Sequence, residues 1–192
     1  MSTAAAIVED FGAVWATSVR DLQFGRNDLA RFLGATGFIK GAEVGVERGL
    51  FSEVLCKAGI RLLCVDAWAA YPGYREHVTQ AKLDGFYIEA LERLKPYGAA
   101  VVRAWSVDAS ATVDDGSLDF VYIDGNHSYE SVWSDLAAWV PKVRSGGIVA
   151  GHDYGRSSVG QVKQAVDDYA AGKVALRILT GDRSPSWLWV QP

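Results

Sequence analysis

The sequence predicts an α/β fold: a mostly parallel sheet with helices on both faces. Three observations carry it. Short, continuously apolar segments recur along the chain, as strands buried on both faces require. Segments with apolar residues at helical spacing separate them. The last two strand-like segments have no helix between them, so at least one of them runs antiparallel.

The elements follow in order. Residues Ala4 to Leu33 read as a weakly patterned helical extension. The first core strand is Gly41 to Val46. A helix from Leu50 to Ala58 follows, and Gly59 fits its C-cap. Arg61 to Asp66 is the second strand. Tyr74 to Lys95 is helical and closed by Pro96 and Gly98. Ala99 to Ala104 and Leu118 to Asp124 are the third and fourth strands. Ser128 to Val140 is a helix with Trp133, Leu136, Ala137 and Val140 on one face. Gly147 to Gly151 is the fifth strand. Val159 to Ala171 is helical, with Gly172 as its stop. Ala175 to Leu179 and Trp187 to Val190 close the sheet around a turn holding Gly181, Asp182 and Pro185.

A chain of 192 residues suits a single domain, 1–192, with residues 1–40 as an N-terminal helical extension and 41–192 as the α/β core. Hydrophobic residues at 49% and charged residues at 22% exclude wholesale disorder. The net charge of -4 argues against nucleic acid and anionic membranes as partners, because phosphate binding needs clustered Lys and Arg. No apolar run reaches the ~18 residues of a membrane span. The N-terminus has no basic region before its short apolar stretch, unlike a signal peptide, so a cytoplasmic protein is expected. Cys56 and Cys64 lie in apolar stretches and read as buried hydrophobes. The 20 glycines and 7 tryptophans stand out, as marks of tight turns near a ligand and of core, interface or stacking surface.

In such sheets ligands sit beyond the carboxyl ends of the strands. The first strand runs into Glu43-Val44-Gly45-Val46-Glu47-Arg48-Gly49. Its glycines fit a close backbone approach to a ligand or an ordinary strand-to-helix turn. The spacing is not that of the dinucleotide fingerprint. Glu43 and Glu47 repel a pyrophosphate and suit a cationic ligand. Asp66 closes the second strand, where a carboxylate can accept both hydroxyls of a ribose. Ala67 follows it, and Trp68 fits either core packing or stacking on a base. Trp105-Ser106-Val107-Asp108 follows the third strand; Ser106 could read an adenine edge, and Asp108 could cap a helix. The fourth and fifth strands deliver Asp124, Asn126, His127, His152 and Asp153 to one edge. Stability alone does not explain so many polar groups after two apolar strands.

These residues resemble a class I S-adenosylmethionine-dependent methyltransferase. The resemblance rests on the Glu43–Gly49 loop, Asp66, Ile123-Asp124-Gly125-Asn126-His127-Ser128-Tyr129, Ser145-Gly146-Gly147 and Gly151-His152-Asp153-Tyr154. It covers roughly Gly41 to Val190. From Asp119 to Tyr154 the chain is most similar to a small bacterial branch related to macrolide-sugar O-methyltransferases, methyltransferase family 24-like. The resemblance implies a Rossmann-like sheet of seven strands, ordered 3-2-1-4-5-7-6 from the first core strand, with strand 7 antiparallel. It implies S-adenosylmethionine as cosubstrate, with Glu43, Gly45, Glu47 and Gly49 around its aminoacid tail, Asp66 at its ribose, Ala67 and Trp68 beside it, Ser106 at the adenine end and Asp124 at the strand-4 end. It also implies a divalent metal on Asp124, His152 and Asp153. His152 departs from the pattern, because magnesium prefers oxygen and imidazole suits zinc, iron or manganese.

In the sugar branch the general base is an aspartate two residues after the strand-4 carboxylate. Here that residue is Asn126, which cannot take a proton. In catechol-type members a lysine stands three residues after it, at the position of His127. A histidine can take a proton near neutral pH. The expectation is therefore O-methylation of a small hydroxylated acceptor, a sugar or natural product, with His127 as base and Asp124 beside it. Tyr71, Tyr74, Arg75, Tyr154 and Arg156 are candidates for the acceptor pocket. That pocket is open to solvent or completed by a second copy in a homodimer. Two other readings compete. One is a non-catalytic nucleoside-binding module on the same fold. The other is a short-chain dehydrogenase, from Tyr169-x-x-x-Lys173 with Ser157 and Ser158 upstream, although its glycine pattern is absent.

Overall fold

A computed structural model of the chain describes residues 21–71, 78–155 and 161–192. Eight strands form one sheet in the order β1-β7-β8-β6-β5-β2-β3-β4. They are β1 (Asp21–Leu22), β2 (Lys40–Val44), β3 (Arg61–Asp66), β4 (Ala100–Arg103), β5 (Leu118–Ile123), β6 (Val143–Gly151), β7 (Arg177–Leu179) and β8 (Ser186–Val190). The core strands expected from the sequence are thus β2 to β8, in the expected order. β8 runs antiparallel to both β6 and β7, and every other pair is parallel.

The extension departs from expectation. It is not a single helix, because Asp21–Leu22 adds an eighth, edge strand parallel to β7 before α1 (Arg26–Ala35) begins. Thr180 N and Gly181 N donate to Leu22 O and Phe24 O at 2.7 and 2.9 Å, so backbone pairing with a distant strand decides this segment. No local periodicity encodes such pairing.

The remaining helices are α2 (Leu50–Lys57), α3 (Gln80–Leu94), α4 (Ser106–Ser110), α5 (Tyr129–Trp139) and α6 (Val162–Ala170). Ser128 caps α5, its hydroxyl accepting from Ser131 N. Thr79 caps α3 in the same way. The face of α5 differs from expectation: Val132, Asp135, Leu136 and Trp139 are buried, while Trp133 and Ala137 are exposed. Two cores result, one on each side of the sheet. One packs Leu29, Leu33, Leu55, Phe86 and Leu94 on Phe120 and Tyr122. The other packs Val132, Leu136, Trp139 and Val166 on Val121, Val149, Trp187 and Trp189. Cys56 and Cys64 are buried and free, as expected. Among the described residues no helix is long and apolar enough to cross a membrane.

Register fixes where the strand ends lie. Val44 stands opposite Val65 on one side and Ile123 on the other, and Ile123 stands opposite Gly151. The residue after each strand continues the ladder: Gly45 N donates to Val65 O, Asp124 N to Val44 O and His152 N to Ile123 O, at 2.7–3.1 Å. Four carboxyl ends therefore finish in one row.

The start of α1 is tied to the far edge of the sheet. Arg26 N donates to the Asp182 carboxylate at 2.6 Å, which satisfies an N-terminal amide that the helix leaves open. Asp182→Ala should lower stability by about 1 kcal/mol, a fall in Tm of roughly 2–4 °C, read by thermal denaturation. An unchanged Tm would show that this tether is not a stabilising contact.

Candidate functional site

Beyond the row of strand ends lies a cleft of about 1190 Å³. Single small-ligand sites usually occupy ~300–1,000 Å³, so this volume has room for two small molecules. Glu43, Gly45, Glu47, Asp66, Ala67, Trp68, Ser106, Asp124, His127, His152 and Asp153 all line it.

The glycine loop is shaped by Gly45. Its φ of +88° is one that side chains rarely adopt, and a Cβ there would stand 2.1 Å from Asp124 O. Gly49 has a different reason. It is the N-cap of α2 at φ +73° and packs toward Leu94 and Ala90 rather than lining the cleft. Its neighbours Arg48 and Leu50 line the cleft on either side of it.

Asp66 holds this loop. One carboxylate oxygen accepts from Val46 N and Glu47 N at 3.0 and 2.9 Å, and the other accepts from Trp68 N at 2.8 Å. Two lone pairs per oxygen leave one acceptor site on Oδ1 for a ligand hydroxyl. Trp68 is not an open stacking face: it is 1% exposed, its indole N–H donates to Glu47 O at 2.7 Å, and its ring lies 4.8 Å from Tyr87. The exposed aromatic on this side is Trp105, which lines the cleft with its ring 5.8 Å from Tyr71. Ser106 Oγ accepts the Trp139 indole N–H at 2.8 Å, so its hydroxyl serves the core as well as the cleft.

Burial sets the charges. Glu43 is 2% exposed and hydrogen-bonded by Ser52. Desolvation pushes its pKa up to about 8, and the Asp124 charge adds to the rise. Burial likewise raises Asp135 to about 6, against a hydrogen bond from Ser106. For Asp153 burial also acts upward, but hydrogen bonds from His152 and Ser184 outweigh it and hold the carboxyl well below the usual range.

The strand-4 and strand-5 residues meet as expected. His127 Nε2 lies 3.3 Å from Asp153 Oδ2 and 3.5 Å from Asp124 Oδ1, yet it is buried and, among the described residues, has no hydrogen-bond partner. His152 Nδ1 lies 3.5 Å from Asp153 and 3.7 Å from Asp124. Ligand atoms of Asp124, His152 and Asp153 all lie within 4.8 Å of one another. Two carboxylates and an imidazole fit a divalent cation, better manganese, iron or zinc than magnesium. Asn126 has a structural duty, its side-chain oxygen accepting from Ser128 N at 2.9 Å in a turn that leads into α5.

Of the acceptor candidates, Tyr71 lines the cleft. Tyr154 does not: it is buried and donates to Asp167 at 2.6 Å. Tyr74, Arg75 and Arg156 lie outside the described residues, as do Ser157 and Ser158. Tyr169 and Lys173 do not line the cleft, and the Lys173 ammonium sits 4.5 Å over the Tyr169 ring. That pair is a cation–π contact and not a dehydrogenase dyad.

Trp105, Asp135 and Arg26 are among the lining residues to which the sequence assigned no role. Trp105 follows a strand and was passed over for Ser106. Asp135 had a signal, an acid on the buried stripe of an amphipathic helix. Arg26 had none, since long-range pairing delivers it.

The doubly wound sheet, with its reversed last strand, places the cleft over the strand ends, where sheets of this kind hold their ligands. The family model Methyltransf_24, described as a methyltransferase domain, matches residues 42–154, and the chain belongs to this family. Uncharacterized protein y4gI of Sinorhizobium fredii is 32% identical over 124 residues, 58% of this chain; the chain spans 12% of that relative's length. Solved structures share the fold. An O-methyltransferase from Bacillus cereus in complex with S-adenosylhomocysteine superposes with a TM-score of 0.60, at 14% identity, over 99% of this chain and 91% of that one. Cofactor-bound Rv0187 from MTB gives 0.64 at 15% identity, over 97% and 88%. The N-methyltransferase NodS from Bradyrhizobium japonicum gives 0.61 at 13% identity, over 87% and 94%.

Glu43 supplies a test of the site's electrostatics. A carboxyl raised from 4.5 to about 8 keeps its proton in the folded state where the unfolded chain releases it. Stability therefore falls as pH rises through that window, by at most about 5 kcal/mol. Glu43→Gln should flatten this fall and raise Tm above wild type at pH 8–9, in ligand-free thermal denaturation from pH 5 to 9. Parallel curves would show that Glu43 ionises freely.

Proposed function

We propose that the chain transfers a methyl group from S-adenosylmethionine to a hydroxyl of a small acceptor such as a sugar or polyhydroxylated natural product. One observation carries the choice of oxygen: a buried imidazole nitrogen, His127 Nε2, beside two carboxylates and without a hydrogen-bond partner among the described residues. A group so placed is suited to receive a hydroxyl proton.

When bound, the cofactor supplies an electrophilic methyl on a sulfonium, and a divalent ion would lower the pKa of the acceptor hydroxyl. The chain's residues do the rest. Gly45 lets the backbone approach the aminoacid tail. Asp66 fixes the loop and keeps one acceptor site for a ribose hydroxyl, while Trp105 offers a face to the adenine. Glu43 and Asp124 receive the positive charges of the tail and the sulfonium. Asp124, His152 and Asp153 would hold the ion. His127 takes the proton as the acceptor oxygen attacks the methyl carbon and the carbon–sulfur pair returns to sulfur. Holding the two reactants in line supplies much of the rate.

His127→Ala should lower turnover by about 10²- to 10⁴-fold while S-adenosylhomocysteine still binds, measured by single-turnover methyl transfer to a polyol panel and by calorimetry. Asp124→Ala should lower turnover likewise. Chelation should abolish it, and manganese should restore it. Unchanged turnover in both variants would reject the assignment. Tight cofactor binding by wild type with no turnover on any acceptor would favour a binding module instead.

A further inference from the structure

One cation in the cleft has no duty in the chemistry above. Arg26 lies outside the span matched by the methyltransferase family model and reaches the site from the segment before it. Its backbone is fixed. Arg26 N is tied to Asp182 at 2.6 Å, β1 pairs with β7, and Leu29 and Leu33 of α1 are fully buried. Its side chain enters beside the glycine loop, with the guanidinium carbon 5.1 Å from the ring of Phe51, the second residue of α2. Nη1 stands 3.9 Å from Asp124 Oδ2, a loose approach. Its charge also reaches the Glu43 carboxyl.

That geometry leaves donors to spare. A guanidinium carries five N–H donors, and among the described residues none of those of Arg26 makes a hydrogen bond. The other guanidinium lining the cleft, Arg48, is already engaged: its Nε lies 3.2 Å from Glu89 and its head lies over Phe86. The rest of the charged lining is mostly acidic. A ligand that places an ammonium against Glu43 and Asp124 and a carboxylate on the same carbon would meet this Arg–Asp pair with both signs matched. The aminoacid tail of the cofactor has that chemistry. An anion on the acceptor is the rival occupant, because His152 Nδ1 approaches the same Asp124 oxygen at 3.7 Å; what favours the tail is the guanidinium's place over Phe51, at the start of the helix that follows the glycine loop.

We propose that Arg26 is the anchor for the α-carboxylate of the cofactor's aminoacid tail. The assignment rests on the cofactor reading given above. The carboxylate accepts two N–H donors from the fork, a pairing that lysine cannot reproduce. A chain segment outside the family's matched core thereby supplies the anion subsite, and the N-terminal edge strand has a functional as well as a structural role.

The test compares two ligands by calorimetry. S-adenosylhomocysteine carries the tail, and 5′-methylthioadenosine keeps the adenosine and thioether but lacks it. Arg26→Met preserves the aliphatic contact with Phe51. It should raise the Kd of S-adenosylhomocysteine by about ten- to hundredfold, the range of a charge-assisted hydrogen bond, and leave that of methylthioadenosine within about twofold. Arg26→Lys should fall between. Retained methylthioadenosine binding reports that the variant is folded. Equal losses for both ligands, or no loss for either, would overturn the assignment. A wild-type protein that binds neither ligand would instead reject the cofactor reading, and this assignment with it.

Discussion

The cleft depends on one carboxylate. Asp66 accepts three backbone N–H groups from two different loops, and these bonds hold a strained backbone in place. Among the described residues, three other than glycine have positive φ: Glu47, Trp68 and Asp153. All three line the cleft. Such conformations cost about 1–3 kcal/mol each and persist only where the surroundings over-determine them. Asp66 binds Glu47 N and Trp68 N directly, and the Trp68 indole closes the circuit on Glu47 O. For Asp153 the partner is the Ser184 hydroxyl. Strain here coincides with the place where a ligand must be approached closely, as expected of a preorganised site.

The second constraint is electrostatic. Several acids share a partly buried volume, and without a cation they disfavour one another's ionisation. Glu43 shows the result, with burial and the Asp124 charge raising its pKa together. A fold selected only for stability would put an amide or an apolar group there. Under the proposed function a sulfonium and an ammonium would reverse the balance, because positive charge beside the acid favours the ionised form. Binding of a cationic cofactor and ionisation of Glu43 would then be linked. Asp153 goes the other way: it is less deeply buried than Glu43, and hydrogen bonds from His152 and Ser184 keep it charged.

Much of this was legible before any coordinates. Continuous apolar strands pointed to the parallel sheet, the helix-free final pair to at least one antiparallel strand, and the family resemblance to which of the two, β8, is reversed. The ends of those strands named Glu43, Asp66, Asp124, His127, His152 and Asp153, because register makes strand ends coincide in space. What escaped depends on contacts distant in sequence. Trp68 and Trp105 both follow strands, and only the packing of Tyr87 decides which is buried. Gly49 and Gly45 sit in one loop, yet one faces Leu94 and the other faces the Asp124 backbone. Trp133 follows the helical period but stands at the rim, in contact with Tyr129 and Tyr169 rather than in the core. Asn126 looked like a lost base; the structure shows it holding a turn instead.

The chain also divides its labour along its length. The strands and loops of the family core, 42–154, carry the strained loop, the buried acids and the His–Asp cluster. The segments outside that span frame it: Ser184 bonds Asp153, Asp182 ties down Arg26, and Gln161 N donates to His127 O at 2.8 Å. Each contact reaches a cleft residue from beyond the core. A histidine whose carbonyl is held by the start of α6 and whose imidazole lies between two carboxylates has little freedom to leave the cleft.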